Sequence, residues 1–486
     1  MAWPNPFYRR TENTRTCWGY TFELTPDHLT PEEAHPLKHS YDFLGEECLE
    51  ILNQVSPPPR SALPRNNSQA SQRSGTSGSE EGKNSEKEPQ RDLYILLRDN
   101  ASQNPKLDKL WKEVNTIPEW VDWEQISRGQ DVFYRYGGAA FTGLAYQSLL
   151  GGMGAARVVE TLARTGGFSP KVARRRLFET TQHILQCTRS LDSIKPGGEG
   201  FASSIRVRFL HAAVRQRILR LAAQRPDYYS VEKWGVPIND LDSIATIGTF
   251  SATLIWLSFP RQGIFLREQE IVDYIALWRY IGYLVGCPTG YFETPQKAKA
   301  IMETLLMNEI EPTETSKILA NNIIKSLEDQ PPAYASADML VASARWLNGS
   351  ELSDRLGLPR PNLYYWLLVA GQCIFFMTIC YTYRSVHYLD VRKISALRKI
   401  FYAIIVESKY GLEGTETLFD FKYIPEYSTI TEMGESAQDA ARYKGIERRN
   451  LKALVIALGT VGVMSWCSLK MATGLFRAVL AVSART

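Results

Sequence analysis

Histidine is scarce in this 486-residue chain, with only His28, His35, His39, His183, His211 and His387. A metal centre held by several imidazoles would have to draw on that short supply, which argues against most multi-histidine metalloenzymes. Cysteine is as thin. The seven (Cys17, Cys48, Cys187, Cys287, Cys373, Cys380 and Cys467) are scattered, odd in number and free of any CxxC pair. They predict reduced core thiols, with neither a disulfide frame nor a zinc site. Also absent are GxGxxG after a strand, GxxxxGK[ST], HExxH and GxSxG. No Ser-His-Asp grouping follows from spacing. A dense basic stripe is missing too: 56 basic and 52 acidic residues leave a net charge of +4, so nucleic acid is not an expected partner. The opening MAWPNPFYRRTENTR has no apolar h-region, so no secretory leader is expected and the chain should face the cytosol.

Strand-like alternation is rare and no 20–50-residue repeat is visible. Helical periodicity dominates from Asp92 onward, which predicts an all-α fold. Thr30-Pro31-Glu32-Glu33 forms a helix start, with a Thr cap, Pro in the first turn and Glu at the capping-box position. Ser169-Pro170 starts another helix. The GGEG at 197–200 breaks the chain before a long helix that Arg225-Pro226-Asp227 ends. Four regions are expected: an N-terminal arm or cover (1–55), a disordered linker (56–91), a helical domain (92–440) and a hydrophobic tail (441–486). The linker holds almost no large apolar residue and cannot offset chain entropy by burial.

Three uncharged stretches bear on membranes. Ser243–Pro260 has the Ser, Thr and Gly content of a buried helix. Pro361–Tyr383 runs 23 residues without a charge, and Ala453–Leu469 runs 17 behind a basic cluster ending at Lys452. About 20 apolar residues span a bilayer, so the second stretch qualifies and the third is marginal. The basic cluster would keep the main body cytosolic. Membrane attachment is the expectation, with a core helix as the alternative for each.

One histidine sits in an informative setting. On a helix, positions 204, 207, 208, 211, 214, 215 and 218 share a face. His211 then stands among Val207, Val214 and Ile218, with Arg208 and Arg215 a turn away on either side. An apolar pocket, an axial donor and nearby cations are what a haem needs. The same spacing fits a part-buried structural histidine, and both readings stay open on spacing alone. On the preceding helix Arg176, Glu179, Thr180 and His183 fall at i, i+3, i+4 and i+7. That polar stripe is either a solvated face or a wall above a metal.

The ordered run WVDWEQISRGQDVFYRYGG (120–138), LARTGGF (162–168), RRLFETTQHIL (175–185), IRVRFLHAAVR (205–215), WGVPINDLDSIATIGTF (234–250) and LWRYIGYLVG (277–286) resembles the rubber-oxygenase catalytic-domain family. That family includes bacterial latex clearing proteins and a fungal ER-bound oxygenase. The likeness is strong over roughly a third of the chain and looser through LGLP (356–359). It covers neither the N-terminal arm nor the hydrophobic tail. It implies a single large helical domain around a haem-b pocket, with His211 as the protein ligand to iron and Arg208 beside it. It also implies a distal group of the pattern Arg-x-x-Lys-Thr, written here Arg176-Leu177-Phe178-Glu179-Thr180. Glu179 thus stands where the family has lysine, which favours a proton acceptor over a sixth ligand. Asn239 and Asp242 are expected as turn and cap residues, and Thr246 as a pocket residue.

The expected activity is oxygenation, by O2, of a small hydrophobic substrate such as an isoprenoid, polyketide or lipid, with oxidative C=C cleavage in secondary metabolism as one form. Glu179, Arg176 and Thr180 would be the catalytic group; His211, Arg208, Arg215 and Thr246 would bind the cofactor. No flavin or nicotinamide motif is present, so any electrons come from a donor protein. The endoplasmic reticulum membrane is the expected site. The competing readings are a haem protein without catalysis and a multi-helix membrane scaffold.

Overall fold

The structure, a computed structural model, describes residues 10–58, 91–166, 168–419 and 445–483. It is built from helices, and the one sheet among the described residues is a hairpin, β1 (Thr14–Cys17) against β2 (Tyr20–Glu23). The helices that frame the site and its supports are α1 (Phe43–Val55), α2 (Trp123–Arg135), α3 (Ala156–Arg164), α4 (Pro170–Thr188), α5 (Glu199–Gln224), α6 (Asp240–Phe250) and α7 (Glu268–Leu284). They continue as α8 (Pro295–Asn308), α9 (Glu314–Leu327), α10 (Ala337–Arg355), α11 (Leu363–Ser385), α12 (His387–Tyr402) and α13 (Gly445–Ser483). Three π-helical stretches among the described residues, Leu144–Leu150, Leu254–Ser258 and Ala403–Glu407, interrupt this regular pattern.

Local chemistry accounts for the helix ends. Thr30 and Glu33 form the reciprocal capping box that their spacing predicts, opening a short helix at Pro31–Ala34. Asp42 caps α1 through Gly45 N–H at 3.0 Å. Asn239 caps α6, accepting from Asp242 N–H at 2.9 Å while its own amide donates to Val236 at 2.8 Å. Each such cap is worth about 1 kcal/mol.

The centre of the fold is α2 against α7. Their backbones meet at Gly129, where a Cβ would lie 2.4 Å from the Asp273 carbonyl. Arg128 closes the pair by gripping Asp273 through two nitrogens at 2.9 and 3.0 Å. Around them lie Phe133, Tyr134, Tyr274 and Trp278, all essentially inaccessible. The N-terminal stretch expected as an arm contributes to the same core: Cys48, Leu49 and Leu52 of α1 are buried in it. Of the expected disordered linker (56–91), residues 59–90 lie outside the described residues. A second cluster joins α3, α9, α10 and α11.

Among the described residues two helices are long and apolar enough to cross a membrane, α11 and, over Gly445–Gly474, α13. Burial separates them. In their most apolar windows 39% of α11 is buried against 6% of α13, whose Val461, Met464, Trp466 and Leu469 are all more than 60% exposed. The two helices cross at Gly371, where a Cβ would lie 2.2 Å from the Asn450 carbonyl. Asn450 also donates to Gln372 at 3.2 Å. The stretch around 243–260 is bent by 41° between α6 and the Leu254–Arg261 segment. Most of its residues are buried, with Ile244, Leu254 and Phe259 almost inaccessible, so here it is core.

Candidate functional site

The polar stripe of α4 turns inward. His183, its last member, is buried and bonds Ser203 of α5 through Nδ1 at 2.8 Å. One turn further on, Cys187 lies against Gly200, where a Cβ would come within 2.7 Å of the Cys187 Cα. The two helices are therefore locked together at Cys187–Gly200 and His183–Ser203. Because they run antiparallel, the same face of α4 leads back through Thr180, Glu179 and Arg176 while α5 leads forward to His211. Over that stretch the packing is looser. Leu177, Phe178 and Glu179 on one side, and Val207, Leu210 and His211 on the other, are only half-buried, and Thr180 is exposed.

His211 makes no hydrogen bond to any described residue. Burial, then the positive charge of Arg215, pull its pKa down to about 4, against a smaller upward pull from Asp42. Its ring is therefore neutral at physiological pH and offers a free lone pair. His183 is depressed to about 4 as well, by burial and then by His211. The two imidazoles thus sit in one electrostatic environment.

Arg208 and Arg215 stand otherwise than as loose cations beside the cofactor. Arg208 is buried and grips Asp42 through two nitrogens at 2.6 and 2.7 Å, and Glu113 through a third at 2.9 Å. Arg215 donates to Glu46 at 2.9 Å and to the carbonyls of Pro237 and Ile238 at 3.2 and 2.9 Å. It also stacks on Tyr41. Both guanidiniums are committed to the protein, so their role is to fix α5 and with it the His211 ring. The partners come from 22 to 169 residues away, a separation that helical periodicity cannot reveal.

Through Pro237 and Ile238, Arg215 also anchors the approach to α6. Leu241, Ile244, Ile247 and Gly248 of that helix face the core, but Thr246 is exposed although α6 packs against α7 and α8. Thr246 returns its own hydroxyl to the Asp242 carbonyl at 2.8 Å. A Cβ built on Gly248, or on Gly152 after the first π stretch, would meet no atom within 4 Å. An open space thus borders α6 well inside the fold. Asp242 pairs with Arg157 of α3 at 3.0 Å, and Arg157 with Glu309 at 2.7 Å. As with Arg208, this buried pairing fixes a wall.

Glu179 pairs with Arg175 one turn earlier at 3.1 Å, its carboxylate largely shielded while the arginine is half exposed. Arg176 is half-buried on the same helix. Sequence reasoning missed Tyr146. It lies in the first π stretch, and its hydroxyl has no hydrogen-bond partner among the described residues; burial raises its pKa. No group of three or more His, Cys, Asp or Glu able to hold a metal ion exists among the described residues. Of the two imidazoles here His183 is engaged with Ser203, so His211 is the one free of a hydrogen-bond partner among the described residues, and a lone nitrogen donor suits a haem, whose macrocycle supplies the other ligands.

Residues 134–374 match the family described as ER-bound oxygenase mpaB/B'/Rubber oxygenase, catalytic domain. The rubber oxygenase of Streptomyces sp. (strain K30) is 21% identical over 260 residues, 52% of this chain and 61% of that protein. The chain thus spans about three-fifths of that relative. Aurantioclavine synthase of Penicillium expansum is 52% identical over 33 residues, 7% of either chain. The solved latex clearing protein in its closed state superposes with a TM-score of 0.53 at 15% identity, over 75% of this chain and 91% of the other.

Proposed function

We propose, from the premise that this chain belongs through residues 134–374 to the ER-bound oxygenase and rubber oxygenase family, that it is a haem-b-dependent oxygenase acting with O2 on a small hydrophobic substrate. The observation that carries this reading is His211: a neutral imidazole without a hydrogen-bond partner among the described residues, on a half-buried face of a helix that two anchored arginines fix within the matched domain. The haem, when bound, supplies the redox chemistry of dioxygen that no side chain here provides.

The chain's own residues then have distinct tasks. His211 would hold the haem iron, and Arg208 and Arg215 keep its helix in place through their own ion pairs. Glu179 accepts or returns a proton at its carboxylate, which its pairing with Arg175 holds in place. Thr180 and Arg176 on the same face orient oxygen or substrate. Thr246 and the space at Gly248 form the opposite wall, where the missing side chain leaves room for a flat group or an apolar chain. Cleavage of a C=C bond by O2 into two carbonyls balances without external electrons, whereas monooxygenation would draw two from a donor protein. The exposed apolar surface of α13 suits a body tethered to a membrane from which such a substrate is taken, and the endoplasmic reticulum, facing the cytosol, is the proposed location.

The test is the visible spectrum of the purified protein. Wild type should show a Soret band and consume O2 in the presence of substrate, and His211→Ala should lose the band. A wild type without haem, or an alanine variant with unchanged spectrum and haem load, refutes the reading.

A further inference from the structure

A second feature of α6 leads away from His211. Thr246, Thr249, Thr253 and Leu257 follow one another along the segment that runs from α6 across its 41° bend into the second π stretch. The last three line a cavity of about 70 Å³, together with Gly152, Ser148 and Arg261. By this measure one water needs roughly 10–15 Å³, so several waters or a small polar head group fit. Gly248, which borders the open space, is followed directly by Thr249, which lines the cavity. Gly152 lines the cavity, and its Cβ position is empty.

Arg261 gives this cavity its chemistry. Its guanidinium donates to the Leu347 carbonyl and, at 3.1 Å, to the Trp18 carbonyl, and to no carboxylate among the described residues. Every other strongly buried arginine described above has an acidic partner. Glu303, which accepts from the cavity-lining Tyr20 at 2.8 Å, is also held by His28 at 3.1 Å and by Lys299 at 3.5 Å. Burial lowers the Arg261 pKa to about 10, opposed only by Tyr20 and Cys17. A shielded cation compensated by two carbonyl dipoles carries a desolvation cost that an incoming anion would relieve.

We propose that the Arg261 cavity is the far end of the substrate channel and receives a carboxylate head group, so that the hydrophobic substrate of this protein is an acid. This rests on the oxygenase reading for the word substrate, but its binding test does not. The apolar body of the acid lies along this threonine-bearing segment, its anion bonds Arg261, and its far end is presented near Thr246.

Titration calorimetry of the full-length protein with octanoate, octanol and acetate tests this. A charge-assisted hydrogen bond is worth about 1.5–3 kcal/mol, so octanoate should bind about 10- to 100-fold tighter than octanol. Arg261→Gln should erase that preference and Arg261→Lys should keep most of it. Because Arg261 also holds two carbonyls, Gly152→Val serves as the second variant: its side chain enters empty space, so octanoate should weaken about tenfold with an unchanged melting temperature. Equal binding of octanoate and octanol, or a preference that survives Arg261→Gln, overturns the inference. Acetate binding as tightly as octanoate overturns the channel and leaves an isolated anion site. A haem-free wild type that still prefers octanoate strikes down the oxygenase reading alone, and a haem-loaded one without the preference strikes down this inference alone.

Discussion

Replacing Arg208 by methionine removes a positive charge that is 3% exposed and leaves Asp42 and Glu113 facing an apolar side chain. The Asp42 carboxylate is 12% exposed and loses two hydrogen bonds at once, while the Glu113 carboxylate, at 35%, regains water easily. The penalty therefore falls on Asp42. Breaking a buried pair by removing one partner costs about 3–5 kcal/mol. With an unfolding entropy of roughly 2 cal/mol/K per residue over about 400 ordered residues, that lowers the melting temperature by roughly 4–6 °C. Asp42→Asn in the same background removes the stranded charge and should recover a good part of the loss, so the two variants are coupled by about 2 kcal/mol or more in a double-mutant cycle. Thermal unfolding followed by circular dichroism reads all four proteins. His211 lies one turn from Arg208, so haem retention should fall with stability in the single variant and return in the double. Additive effects, with no recovery, would refute the idea that Asp42 and Arg208 act as one unit.

The remaining predictions concern pH, the distal wall, the open space and the membrane. His183 and His211 both have pKa values lowered to about 4 from 6.5. The folded state disfavours their protonation, so stability is full above about pH 6.5 and drains as pH falls towards 4; a His183→Asn variant should show a shallower decline in unfolding midpoint. For Asp42, burial pushes the pKa up, but Arg208 and the Gly45 N–H outweigh it and hold it below 3.8, so its share of stability persists to still lower pH before it is lost. Glu179→Gln should lower turnover about 100-fold or more at unchanged haem load; unaltered turnover removes Glu179 from the proton path. Gly248→Leu projects into empty space, so it should reduce haem or substrate binding without lowering the melting temperature, and normal loading would show that the space serves neither. Lysines at Val461 and Met464 would cost about 2.5–3.5 kcal/mol each in the bilayer centre, so the double variant should become extractable by alkaline carbonate; continued resistance would exclude α13 as the span.

Much of this was legible before any coordinates. Caps are local, so Thr30 with Glu33, Ser169-Pro170 and Asn239 marked real helix starts, and the helix of His211 ended at Arg225 as its sequence indicates. The α4 stripe was legible as a face but not as an inward one, because only the Ser203 partner of His183 decides that. The fate of Arg208 and Arg215 was hidden for the same reason: Asp42, Glu46 and Glu113 arrive from helices 95 to 169 residues away. The hairpin of residues 14–23 and the π stretches escaped as well. A four-residue strand carries too little alternation to stand out, and one extra residue in a helical turn leaves the periodicity almost unchanged.

The ties made by residues 10–58 have a practical meaning. Trp18 donates to Leu306 on α8, His28 to Glu303, Asp42 holds Arg208 and Glu46 holds Arg215. These anchors, with α1 inserted in the core, do not depend on covalent continuity through 59–90. A protein cut once in that stretch should therefore behave as a two-piece molecule that copurifies and keeps its function. Co-expression of the two pieces would reconstitute it, and the amino-terminal piece supplied alone could restore a truncated body in the manner of a detachable subunit.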